Sequence, residues 1–128
     1  MTHGHPHHSP GFLALVSDAK TRVREITIED YQARVARGET WTLVDVREDH
    51  EWVAGRLPGA VHLGKGIIER DVEKMFPDKA TPLVLQCGGG FRSALVGDNL
   101  QKMGYTNVVS LDGGYRGWVE RGLPTETG

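Results

Sequence analysis

The stretch LVLQCGGGFRSALV, Leu83 to Val96, runs from an unbroken apolar segment through a lone cysteine and three glycines to an arginine. LVLQ has the compact apolar character of a strand covered on both faces. Ser93 to Met103 reads as a helix closed by Gly104. Cys87 therefore stands just past the carboxyl end of a strand, and Arg92–Ser93 opens the next helix.

The same alternation extends outward in both directions. NVVSL is a further strand, and DGGYRGWVERG turns at Gly113 and Gly114 into a last short helix before Pro124, with Trp118 as a core residue. Upstream, VREI reads as a first strand, followed by a helix from about Thr27 to Arg37 that Gly38 ends. WTLVDV is a strand, Glu48 to Ala54 a short helix, Val61 to Leu63 a brief strand, and Ile67 to Phe76 a helix stopped by Pro77. Strand and helix alternating throughout predict an α/β domain around a mostly parallel sheet. In such sheets ligands bind beyond the carboxyl ends of the strands, where Cys87 lies.

Before this domain, FLALVSDAKTRV spaces Phe12, Leu15, Val16, Ala19 and Val23 as one helical face, predicting an amphipathic helix over residues 12–22. Residues 1–11, MTHGHPHHSPG, are biased to His, Gly and Pro and read as a disordered tail. Its histidines would ligate a metal only weakly and without selectivity, so no metal site is expected. Residues 125–128 read as a short C-terminal tail.

With 128 residues the chain is one domain's worth, and its net charge of −2 offers no basic surface for nucleic acid. One cysteine excludes an internal disulfide and suits a reducing compartment. No stretch reads as a leader or a membrane span, so the sequence predicts a soluble, cytoplasmic protein.

The loop's chemistry follows from its residue types. The nucleophilic form of cysteine is the thiolate, which a helix N-terminus and a nearby cation both favour. Gly88, Gly89 and Gly90 have no side chains to cover their amides, so successive N–H groups can turn inward as an anion-binding nest. Arg92 adds a fixed charge and a planar fork for oxyanions. On residue type alone a single cysteine is most often a small buried hydrophobe. Strand, cysteine, glycine turn, arginine and helix together point instead to a nucleophile, with a loop that only binds an anion as the alternative. Phe91 reads either as a wall of the mouth or as packing.

LVDVREDHEWVAGRLPGAVHL, CGGGFRS and LDGGYRGWVERGLP, in that order, resemble the signatures of the single-domain rhodaneses, the thiosulfate sulfurtransferase family. The resemblance covers about residues 23–124. One departure is Arg56, where the first signature usually has histidine. The resemblance implies a five-stranded parallel sheet flanked by helices on both faces, a persulfide carried on the cysteine, and no metal or organic cofactor. Cys87 would attack the outer sulfur of thiosulfate, and Arg92 would meet the charge of the departing sulfite. Gly88, Gly89, Gly90, Phe91 and Ser93 would surround the substrate. Cyanide or a thiol, including a protein cysteine, would then accept the sulfur. Asp45, Arg47 and Glu51 fall where the first signature has its acid and base groups. They read as architecture, with Arg47 and Glu51 spaced to bridge across a helical turn.

Two other readings stay open. A phosphatase or arsenate reductase also uses a Cys-to-Arg cradle, but the loop here holds four residues between Cys87 and Arg92, one fewer than in cysteine-dependent protein phosphatases. A binding module with vestigial chemistry would use the N-terminal tail or the first helix to hold a partner. That helix would serve equally to cap a monomer or to form a homodimer seam.

Overall fold

The computed structural model describes residues 8–127. Five strands form one sheet: β1 (Arg24–Ile26), β2 (Thr42–Asp45), β3 (Val61–His62), β4 (Leu83–Gln86) and β5 (Val108–Leu111). Their spatial order is β1-β5-β4-β2-β3, every pairing parallel. The helices are α1 (Pro10–Lys20), α2 (Ile28–Ala36), α3 (Asp49–Ala54), α4 (Ile68–Met75), α5 (Phe91–Lys102) and α6 (Gly114–Glu120).

Every residue of β4 and of β5 is buried, as central strands of a two-sided sheet must be. Alternation along the strands sends Leu83, Leu85, Val44 and Val108 to one face. There they meet Ile68 and Val72 of α4 and Val96 and Leu100 of α5. Leu43, Val84 and Val109 point the other way, onto Ile28 at the start of α2 and Trp118 of α6. Helices thus cover both faces. β4 continues through α5 to β5 on one side, while β2 continues through α3 to β3 on the other. The chain's direction of winding reverses between β2 and β4, which opens a crevice at their carboxyl ends.

The ends of the chain depart from expectation. The tail predicted over residues 1–11 gives way to helix at Pro10, because Ser9 caps α1 by accepting the Phe12 N–H at 3.2 Å and proline suits a first helical position. Residues 1–7, with three of the tail histidines, lie outside the described residues. Val16 and Ala19 are buried against the domain, whereas Leu15 is 62% exposed, so the buried stripe of α1 is narrower than its sequence pattern. At the other end, Glu126 exchanges backbone hydrogen bonds with Arg56 in an antiparallel bridge, fastening a segment that reads as a tail. No helix among the described residues is long and apolar enough to cross a membrane.

The first helix is held on the domain by charge as well as by apolar contact. Arg22 donates to both carboxylate oxygens of Asp98 on α5, at 2.8 and 2.9 Å, and also to Asp18. Gly97 of α5 lets the two segments close up, since a Cβ there would stand 2.8 Å from a methyl of Val23.

Candidate active site

At the crevice the Cys87 residue is 1% exposed, its sulfur at the foot of the loop. The Gly90 N–H donates to Sγ at 3.1 Å. Gly90 caps α5 in the left-handed conformation, at φ 98°, which a side chain would strain. The Ser93 hydroxyl lies 3.5 Å from Sγ and 2.7 Å from the Ser110 hydroxyl of β5, so the first turn of α5 is tied to the neighbouring strand beneath the sulfur. From outside, the first turn of α6 holds the loop: Tyr115 N–H donates to the Cys87 carbonyl at 2.8 Å and Arg116 N–H to the Gly88 carbonyl at 2.9 Å. Gly114 makes this approach feasible, because a Cβ there would overlap the Cys87 carbonyl. Two helix starts thus meet over one cysteine, and of the three glycine amides it is that of Gly90 that donates to the sulfur.

The charged groups pair differently from the expectation. Arg47 does not bridge to Glu51. It folds back on Asp45 at the end of β2, with Nη2 2.8 Å and Nε 3.0 Å from the carboxylate, and its guanidinium lies 4.3 Å from the Tyr115 ring centre. Both Asp45 and Arg47 are buried, and Arg47 also donates to the Gly55 carbonyl, so the pair fixes the connection around α3. Glu51 is therefore free to reach across the crevice to Arg92, which donates to its two oxygens at 2.7 and 3.1 Å. That pairing holds the Glu51 carboxyl down at about 2, the Arg92 hydrogen bond being the main cause, and it raises Arg92 above its ordinary value. Arg92 lies close to the loop, since a Cβ on Gly88 would stand 3.0 Å from its Nη2, but its charge is matched by a carboxylate.

The mouth is a cavity of about 430 Å³ with Cys87, Gly88 and Gly89 at its floor. Phe91 is a wall of that mouth and also packs, its ring 5.0 Å from His8 and 6.3 Å from Phe12. Arg116 lines the same mouth beside Gly89, where a Cβ would stand 3.1 Å from its Nη1. Among the described residues its guanidinium makes no hydrogen bond or ion pair. Sequence reasoning missed Arg116, Phe12 and His8. Arg116 was within reach, because it follows the double-glycine turn at the carboxyl end of β5, where the same binding rule applies. Phe12 and His8 carry no such signal, since only tertiary packing brings them to the loop.

The family model for the rhodanese-like domain matches residues 27–121. With this match, the sheet order and the Cys87 loop, the chain belongs to the rhodanese-like family. It is 33% identical to a sulfurtransferase of Allochromatium vinosum over 80% of this chain and 94% of that one. It is 31% identical to the thiosulfate sulfurtransferase GlpE of Actinobacillus pleuropneumoniae over 78% and 92%. Among solved structures, RPA3614 of Rhodopseudomonas palustris, a protein of unknown function described as a possible tyrosine phosphatase, superposes with a TM-score of 0.82 at 28% identity. That likeness covers 92% of this chain and 96% of the other. The polysulfide-sulfur transferase homodimer of Wolinella succinogenes gives 0.76, also at 28% identity, over 92% and 88%.

Proposed function

We propose that the protein is a sulfurtransferase that carries sulfane sulfur on Cys87 as a persulfide, taking it from thiosulfate or a related anionic donor. The Cys87 thiolate attacks the outer sulfur of the donor, the donor's S–S bond breaks, and sulfite leaves with the electron pair. Cyanide or a thiol then takes the terminal sulfur and the thiolate returns. Each step exchanges one bond to sulfur for another, and the charges balance without a further redox partner.

The observation that carries this reading is the Gly90 N–H bonded to Sγ at the foot of the glycine loop, an amide aimed at the atom that carries the negative charge of the attacking thiolate. Gly88 and Gly89 extend the cradle, and Ser93 supports it from below. Arg92 takes part as a positioned cation: two of its N–H groups are used on Glu51, and the rest serve the departing anion. Names of relatives point the same way, toward thiosulfate in GlpE. A reducing compartment such as the cytoplasm suits a free thiolate.

Intact mass before and after thiosulfate, and again after cyanide, tests the proposal. The expected result is a gain of one sulfur atom that cyanide removes and that Cys87→Ser never shows. No gain from thiosulfate or polysulfide would refute it. The description of RPA3614 favours a second reading, phosphate-ester hydrolysis. Cys87-dependent release of p-nitrophenol from p-nitrophenyl phosphate, without sulfur uptake, would establish that one instead.

A further inference from the structure

The rhodanese-like domain model begins at residue 27, so α1 lies ahead of it. Nevertheless α1 supplies one side of the mouth above Cys87. Phe12 sits on its first turns, His8 stands just before its cap, and the His8 ring lies 5.2 Å from Phe12 and 5.0 Å from Phe91. Lys20, at the last turn of α1, places Nζ 4.9 Å from the Phe91 ring centre and so ties the wall to its own helix. The same cavity is lined by Arg116, whose guanidinium has no carboxylate partner among the described residues. Arg92, the other cation of the mouth, already uses two of its N–H groups on Glu51.

Size and chemistry then disagree with a bare inorganic anion as the preferred ligand. At about 430 Å³ the cavity is in the range that holds an organic ligand, and thiosulfate would fill a small part of it. Hydrated sulfur oxyanions gain nothing from two phenyl rings, whereas an apolar group gains by leaving water against them. We propose that the site selects a sulfane-sulfur compound that carries an apolar organic body beside its anionic group, with Phe12 and Phe91 reading the body and Arg116 holding the charge.

This inference rests on the sulfur-transfer reading above and names the substrate class for the same site. With an organic thiosulfonate, R–SO₂–S⁻, the Cys87 thiolate attacks the outer sulfur and the S–S bond breaks. The sulfinate R–SO₂⁻ leaves with the electron pair, and Cys87–S–S⁻ remains. Charge and atoms balance, and no proton or oxidant is consumed.

The test uses the full chain and two donors, methanethiosulfonate and benzenethiosulfonate, with cyanide as acceptor. The readout is the ratio of their kcat/KM values. Their intrinsic difference as leaving groups is common to every variant, and a ratio from one preparation is blind to the folded fraction. Phe12→Ala should lower the benzene-to-methane ratio by about tenfold, and Phe12→Leu should restore part of it. Leu15→Ala, on the exposed side of the same helix, should keep the wild-type ratio. Arg116→Gln should raise KM for both donors alike and leave the ratio in place. If both donors load Cys87 and Phe12→Ala does not move the ratio, the inference is overturned and sulfur transfer stands. If neither adds sulfur to Cys87 by intact mass while thiosulfate does, the inference is overturned and sulfur transfer again stands; if thiosulfate and polysulfide also add none, both readings fall.

Discussion

Replacing Glu51 by glutamine isolates the ion pair across the crevice. Glu51 also accepts the Glu48 N–H at 2.9 Å to cap α3, and the glutamine carbonyl keeps that bond, so what is lost is the charge opposite Arg92. A carboxyl held at about 2 rather than 4.5 bounds the stabilisation at about 3 kcal/mol, at 1.36 kcal/mol per pH unit. Both side chains are a little over a quarter exposed, 27% for Glu51 and 29% for Arg92, and water screens them, so about 1–2 kcal/mol is the working value. For a domain of this size that is a fall in Tm of about 5 °C. Because the folded pKa is depressed, the contribution is complete above the ordinary carboxylate value and fades as pH falls below it toward about 2. Urea denaturation of wild type and Glu51→Gln should therefore differ by a constant amount from pH 7 to about pH 5. The two stabilities should then converge as the pH falls further. A difference that stays constant to pH 3, or none at pH 7, would refute the reasoning.

Two further outcomes follow from burial and close approach. Asp45→Asn strands the buried Arg47 guanidinium without its counter-charge and should cost about 3–5 kcal/mol in urea denaturation; a loss below about 1 kcal/mol would mean Arg47 finds another partner. Gly114→Ala combines a φ of +51° with a Cβ that overlaps the Cys87 carbonyl. It should cost about 2–4 kcal/mol and slow sulfur loading, and an unchanged melt with unchanged loading would mean α6 is not what shapes the loop.

The elements that sequence reasoning located well are those whose signals are local. Leu83–Gln86 and Val108–Leu111 are buried on both faces and read as apolar runs, and Cys87 falls where an α/β sheet puts its ligands. The pairing of charges was not legible for a physical reason. Arg47 and Glu51 have the spacing of a helical bridge, but Arg47 sits in a bend ahead of α3, and Asp45 two residues back captures it. Glu51 then finds a partner on α5, a choice that depends on the reversal of winding between β2 and β4. Phe12 had a helical pattern but nothing to show that its ring turns toward the loop rather than into the core. Arg116 comes to the mouth because the first turn of α6 packs on the Cys87 loop, a tertiary contact.

The pairing of β1 with β5 and the docking of α1 on α5 have a consequence for how the chain is made. At about 5–20 residues per second a ribosome releases Phe12 and the first strand several seconds before their partners exist. Over that interval the apolar FLALV segment is bare, and the edge place beside β5 has not formed. Sulfur loop and aromatic wall can meet only once α5 has emerged, and Arg116 completes the mouth only after β5 has followed. A nascent or nicked chain lacking that strand would carry Cys87 on a loop with no finished mouth.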